Sequence, residues 1–127
     1  MRIIITGGTG LIGRALCPLL LADGHLITVL SRNPDAARGM PSGVRIEDWD
    51  GHTTEGWGHL VNGADAVINL AGAGIADRPW TTKRKQTIRE SRIHAGLAVQ
   101  KAIQQATEKP RVLIQSSAVG YYGARND

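Results

Sequence analysis

Thr6-Gly7-Gly8-Thr9-Gly10-Leu11-Ile12-Gly13 joins the run Arg2-Ile3-Ile4-Ile5-Thr6 to the apolar stretch that begins at Leu11. Residues 2–6 carry three successive isoleucines, the pattern of a strand covered on both faces. Residues 11–22 read as a helix stopped by Asp23-Gly24. Pro18 inside it predicts a kink or a lost hydrogen bond. Gly7, Gly10 and Gly13 therefore form G-x-x-G-x-x-G between a strand and a helix, the context such a motif needs. The first glycine allows a sharp exit from the strand. The middle one lets a pyrophosphate approach the backbone with no Cβ in the way. The last lets helix and strand pack closely. Amides at the helix start then face the phosphates. Gly7, Gly8, Thr9, Gly10, Leu11, Ile12 and Gly13 are the candidate cradle. A glycine turn with no ligand is the plain alternative.

Working outward, strands and helices alternate. Residues 26–31 read as a second strand, and 33–43, with Pro34, Gly39, Pro41 and Gly43, as a loop holding at most one helical turn. Residues 44–48 are a third strand. A short helix near 58–61 interrupts the poorly patterned stretch 50–63. Residues 64–71 (A-D-A-V-I-N-L-A) are a fourth strand, 82–107 a long helix and 111–117 a fifth strand. The helix carries an apolar stripe of Ile88, Ala95, Val99, Ala102, Ile103 and Ala106 at the 3.6-residue period. Lys83, Arg84, Lys85, Arg89 and Lys101 lie largely off it. Strands joined by crossovers pair in parallel with right-handed connections. The expectation is an α/β, doubly wound parallel sheet (Rossmann fold) in the order 3-2-1-4-5, with residues 1–127 as one NAD(P)-binding domain.

Composition removes other classes. Glycine supplies 16 of 127 residues, against a usual ~7%. With three Trp, two Tyr and no Phe, the core is expected to be aliphatic. The single cysteine, Cys17, excludes a disulfide framework or a Cys-based zinc site and reads as an inert core thiol. No apolar run approaches the ~18 residues of a membrane span. No secretory signal opens the chain, so a reducing compartment, most simply the cytoplasm, is expected. A net charge of +4 favours anionic ligands without implying nucleic acid.

The end of the second strand, Val29-Leu30-Ser31-Arg32-Asn33, holds no acid of the kind that binds the ribose hydroxyls of NAD. Ser31 and Arg32 stand there instead. A guanidinium fork suits a 2′-phosphate, so NADP(H) is the expected cofactor. A solvent-exposed loop arginine is the alternative. Arg14 and Arg38 read chiefly as surface charge.

T-G-G-T-G-L-I-G at 6–13, S-R at 31–32, N-L-A-G at 69–72, S-R at 91–92 and S-S-A-V-G-Y-Y-G at 116–123 together resemble the extended or atypical short-chain dehydrogenase/reductase superfamily. The spacing W-x(11)-R from Trp80 to Arg92 and the run Ala118-Val119-Gly120-Tyr121-Tyr122-Gly123 narrow the resemblance to its NADP-binding epimerase-family branch, the nucleoside-diphosphate-sugar epimerase-like group. The resemblance covers essentially the whole chain. It implies that Leu70, Ala71 and Gly72 pass beside the cofactor's ribose and that Arg92 reaches the cofactor. The alternative for Arg92 is one more cation on a solvated helix face. Asp48 and Trp49 follow the strand where related folds contact adenine, and packing of Trp49 is the competing reading. Members of the branch are well over twice this length. The substrate-binding C-terminal part is therefore expected to be absent, and the fragment alone inactive. The fifth strand would be left as an open, self-associating edge.

In such reductases a Tyr acts as general acid beside a Lys, and a Ser or Thr positions the carbonyl. Ser117 ends the fifth strand where that Ser or Thr belongs. Alignment on the Tyr-Gly pair places Ala118 there instead. Tyr121 and Arg125 have the spacing of the Tyr/Lys pair but do not substitute for it, since arginine does not share protons in that way. The implied reaction moves a hydride between nicotinamide and a carbonyl or alcohol carbon of a small, sugar-like substrate. A non-catalytic NADP sensor is the second reading. A basic nucleic-acid module is the third, disfavoured because Lys83-Arg84-Lys85 lacks interleaved aromatics. His25, His52, His59 and His94 show no metal-ligand spacing.

Overall fold

The computed structural model describes residues 1–33, 35, 38–70 and 82–115. Five parallel strands form one sheet: β1 (Arg2–Thr6), β2 (Leu26–Ser31), β3 (Arg45–Asp48), β4 (Ala66–Asn69) and β5 (Val112–Gln115), in the order β3-β2-β1-β4-β5. Helix α1 (Leu11–Ala22) crosses from β1 to β2, and helix α2 (Thr82–Gln105) precedes β5. This is the expected doubly wound α/β sheet. Register pairs Ile4 with Thr28 and Val67, so the three central strands lie side by side.

Alternation along the strands divides the core in two. Ile3, Ile5, Ile27, Val29, Ala66 and Ile68 face α1 and pack with Cys17. Burial pushes the Cys17 thiol up, as befits an inert core thiol. Ile4, Leu30 and Val67 face the other way, toward α2. That helix meets them with Ala95, Ala98, Val99, Ala102 and Ala106, small side chains that let it approach closely. Ala98 widens the expected stripe, and the side chain of Ile88 lies outside the described residues.

The room left by the alanines is filled by tryptophan, so the core is not purely aliphatic. Trp49 and Trp57 are buried with ring centroids 5.5 Å apart and planes at 89°, an edge-to-face pair. The Trp57 Nε1–H donates to the Thr53 carbonyl at 2.8 Å, which satisfies the one polar atom of a fully buried indole.

Element ends depart from the sequence expectation where the backbone finds other partners. The 3-10 turn Gly58–Val61 sits where a short helix was expected. Ala64 N–H donates to the Val61 carbonyl at 3.0 Å, which keeps Ala64 in that turn rather than in β4. Helix α2 stops two residues short of the expected end. Lys109 Nζ donates to the carbonyls of Ile103, Gln104 and Ala106 at 3.1, 3.1 and 2.8 Å, capping that end with a cation. Helix α1 runs through Pro18, which lies on its exposed side, so the missing amide does not end the element.

Candidate functional site

Strand order reverses between β1 and β4, so connections leave these neighbours in opposite directions and open a crevice at their carboxyl ends. Its floor is polar. Thr6 Oγ1 donates to Asn69 Oδ1 at 2.5 Å, with both residues buried. The Leu70 amide donates to the Thr6 carbonyl at 3.0 Å. Neither Thr6 nor Asn69 is among the expected site residues. The available signal was an asparagine closing an otherwise apolar, fully buried strand, since a buried polar group requires a partner.

The glycine turn rises from this floor, and each glycine does different work. Gly7 takes φ 71°, the left-handed conformation that turns the chain out of β1. A Cβ on Gly13 would meet the Gly8 carbonyl oxygen at 2.3 Å, so only glycine lets α1 lie against the turn. A Cβ on Gly8 would come within 2.7 Å of Val29. At Gly10 a Cβ would meet, among the described residues, only the Gly7 carbonyl, at 3.4 Å. Gly10 is the N-cap of α1 and supplies no side-chain cap to the amides behind it. A bare, uncapped helix start beside a strand-order reversal fits a pyrophosphate. Leu11 and Ile12 are 89% and 60% exposed there. Arg14, read from sequence as surface charge, braces the turn: its Nε donates to the Thr9 carbonyl at 2.8 Å and its Nη1 to the Arg38 carbonyl at 3.1 Å.

At the end of β2, Ser31 is buried and Arg32 exposed. The Ser31 hydroxyl donates to the Asn33 carbonyl at 2.8 Å and accepts from the Asn33 amide at 3.2 Å. It therefore shapes the turn that presents Arg32. Asp48 is exposed at the end of β3, whereas Trp49 packs into the core and not toward the crevice's adenine end. Asp50 stands next, exposed. Hydrogen bonds from the Thr53 and His52 amides and the Thr53 hydroxyl hold its carboxyl at about 2. Gly96 of α2 lies near Gln115, the last residue of β5. Arg92, one turn earlier and half-buried, is therefore at the carboxyl edge of the sheet with the other candidates. Ala71, Gly72, Trp80, Ser117, Tyr121 and Tyr122 lie outside the described residues.

Among the described residues no group of three or more His, Cys, Asp or Glu is placed to hold a metal ion. None of their helices is long and apolar enough to cross a membrane. A cavity of ≈ 260 Å³ opens at the opposite, amino edge of the sheet, beside Arg2 and Arg45. Both cations are engaged, Arg2 with the Gly63 carbonyl at 3.4 Å and Arg45 with Glu47 at 2.6 Å. The crevice at the carboxyl edge, where the helix start is uncapped, is the candidate site.

Known proteins resemble this chain in sequence and in fold. A sequence model of the NAD dependent epimerase/dehydratase family matches residues 3–127. Epimerase family protein YfhF of Bacillus subtilis is 43% identical over 125 residues, covering 97% of this chain and 39% of its own length. The Arabidopsis thaliana chloroplastic homologue of epimerase family protein SDR39U1 is 38% identical, over 97% of this chain and 36% of its own. The crystal structure of human epimerase family protein SDR39U1 with NADPH superposes with a TM-score of 0.75 at 34% identity, over 96% of this chain and 38% of that one. This chain thus spans less than two-fifths of the length of these relatives. With a motif at the crevice and a match along nearly its entire length, the chain belongs to the NAD-dependent epimerase/dehydratase family.

Proposed function

We propose that residues 1–127 form the NADP(H)-binding domain of an oxidoreductase-like or epimerase-like enzyme of the cytoplasm, acting on a small, sugar-like carbonyl or alcohol. Gly7, Gly8, Thr9, Gly10, Leu11, Ile12 and Gly13 hold the pyrophosphate. Arg32 engages the 2′-phosphate from the turn that Ser31 shapes. Leu70, Ala71 and Gly72 line the ribose, and Arg92 reaches the cofactor from α2. The nicotinamide supplies hydride chemistry, and Ser117 is the candidate to orient the substrate carbonyl.

The observation that carries this reading is the pairing of an uncapped, side-chain-free helix start at Gly10 with Arg32 at the end of β2, where no acid stands. The NADPH in the human relative's structure supports it. Strand β5 pairs only with β4 among the described residues, and Val112, Leu113 and Ile114 are 44–50% exposed. Self-association through this edge is part of the proposal.

Titration calorimetry with NADPH and NADH, on the native protein and Arg32→Ala, tests the cofactor assignment. A charged hydrogen-bonding contact of ~1.5–3 kcal/mol gives NADPH a roughly ten- to hundredfold advantage that Arg32→Ala removes. Equal affinities in the native protein would overturn the assignment.

A further inference from the structure

Arg32 lies across Gly51. A Cβ on Gly51 would stand 2.9 Å from Arg32 Cδ, 3.6 Å from Cγ and 3.7 Å from Nε. Gly51 is buried and has φ 81°, a left-handed conformation suited to glycine. The segment that carries it is fastened on both sides. Upstream, the Trp49 amide donates to the Ser31 carbonyl at 3.2 Å, tying the exit of β3 to the last residue of β2. Downstream, the Asp50 carboxylate accepts from the His52 amide at 2.8 Å and from the Thr53 amide and hydroxyl, both at 2.7 Å. The Thr53 carbonyl in turn receives the Trp57 indole N–H. Trp49 and Trp57 pack against each other in the core, so the turn hangs between two buried anchors.

We propose that Gly51 is a positioning residue for cofactor selection, its bare Cα forming the shelf that carries the Arg32 stem and aims the guanidinium at the 2′-phosphate of NADP(H). The inference rests on the Arg32 reading proposed above. An arginine stem has many rotamers, and binding must freeze them. A shelf that fills the space on one side removes part of that freedom beforehand, which leaves less ordering to oppose binding. Asp50 adjoins Gly51, and the donors of its own turn engage its carboxylate. Gly51 and Arg32 are far apart in sequence, and only the alignment of β2 with β3 brings them together.

Calorimetric titration of the full chain with NADPH and NADH provides the test, using Gly51→Asn, Gly51→Ala, Arg32→Ala and the Gly51→Asn/Arg32→Ala double variant. Asparagine tolerates the left-handed backbone, so Gly51→Asn tests the side chain's bulk with little backbone strain. The expected result is an about tenfold loss of NADPH affinity, the weakening of one charged contact. NADH affinity stays unchanged, and the loss disappears when Arg32 is already alanine. An equal loss for both cofactors, an unchanged NADPH affinity, or a loss that persists in the Arg32→Ala background would overturn the shelf. If Arg32→Ala itself leaves the NADPH-to-NADH ratio unchanged, the Arg32 reading fails and the shelf fails with it. If Arg32→Ala collapses the ratio and Gly51→Asn does not, only the shelf fails.

Discussion

Gly10→Val and Gly13→Ala separate a ligand role from a packing role within one turn. At Gly13 the new Cβ would lie 2.3 Å from the Gly8 carbonyl oxygen and 2.4 Å from its carbon. Non-bonded carbons prefer about 3.5–4.0 Å, so the Gly8 backbone must retreat by about 1 Å. A Cβ built on Gly8 would itself meet Val29 at 2.7 Å, so the turn is closely packed there as well. The cost belongs at the upper end of the ~1–3 kcal/mol typical of overpacking. At Gly10 the described residues offer no such obstruction: φ −79° and ψ −175° are open to valine, and the Cβ meets one oxygen at 3.4 Å. The fold loses only the small preference for glycine over valine at an N-cap, about 1 kcal/mol. Binding loses far more, because the side chain occupies the phosphate's approach. Two lost charged hydrogen bonds at ~1.5 kcal/mol each already amount to a roughly hundredfold drop in NADPH affinity. Urea unfolding followed by circular dichroism reads the first quantity and fluorescence titration the second. Folded Gly10→Val binding NADPH as tightly as the native protein would refute the assignment of the turn. Native stability in Gly13→Ala would refute the packing argument.

Three further outcomes are expected. Asp50 has a folded-state pKa of about 2 against an ordinary 3.8. Its stabilising contribution is therefore complete above about pH 4 and fades as pH falls toward about 2, so the stability gap between native protein and Asp50→Asn narrows over that interval. Urea midpoints that stay equally separated throughout would count against it. Trp57→Ala removes a fully buried indole and should cost ~3–5 kcal/mol, read from thermal or urea unfolding, whereas an effect below ~1 kcal/mol would mean the alanine face of α2 closes over the gap. Light scattering of the 127-residue chain should show association that a lysine at Val112 or Ile114 suppresses, and a monodisperse monomer would contradict pairing through β5.

The sequence was most legible where local signals agree. The bounds of β1, α1 and β2 follow from an isoleucine run, a glycine turn, an Asp-Gly stop and a second β-branched run, and the structure matches them residue for residue. The strand order followed from parallel pairing and right-handed crossovers together with the doubly wound pattern that the glycine turn implies. The long helix was visible from its period, but its end was not. That end is set by Lys109 folding back onto three carbonyls, an interaction from outside the helix. Residues 50–63 were opaque because nothing in them is periodic. Trp49 and Trp57 are buried by α2, whose alanines leave the space they fill. The Thr6–Asn69 floor and the Arg32–Gly51 contact join residues from different strands and loops, and such pairs become neighbours only once the sheet is assembled.

The most direct test of the cofactor site is amide-shift mapping by NMR as NADPH is added. The account predicts shifts at Gly8 to Gly13, Arg32, Gly51 and Leu70, all at the carboxyl edge of the sheet. Shifts confined to Arg2, Leu26 and Arg45, around the cavity at the amino edge, or no shifts at saturating NADPH, would contradict it.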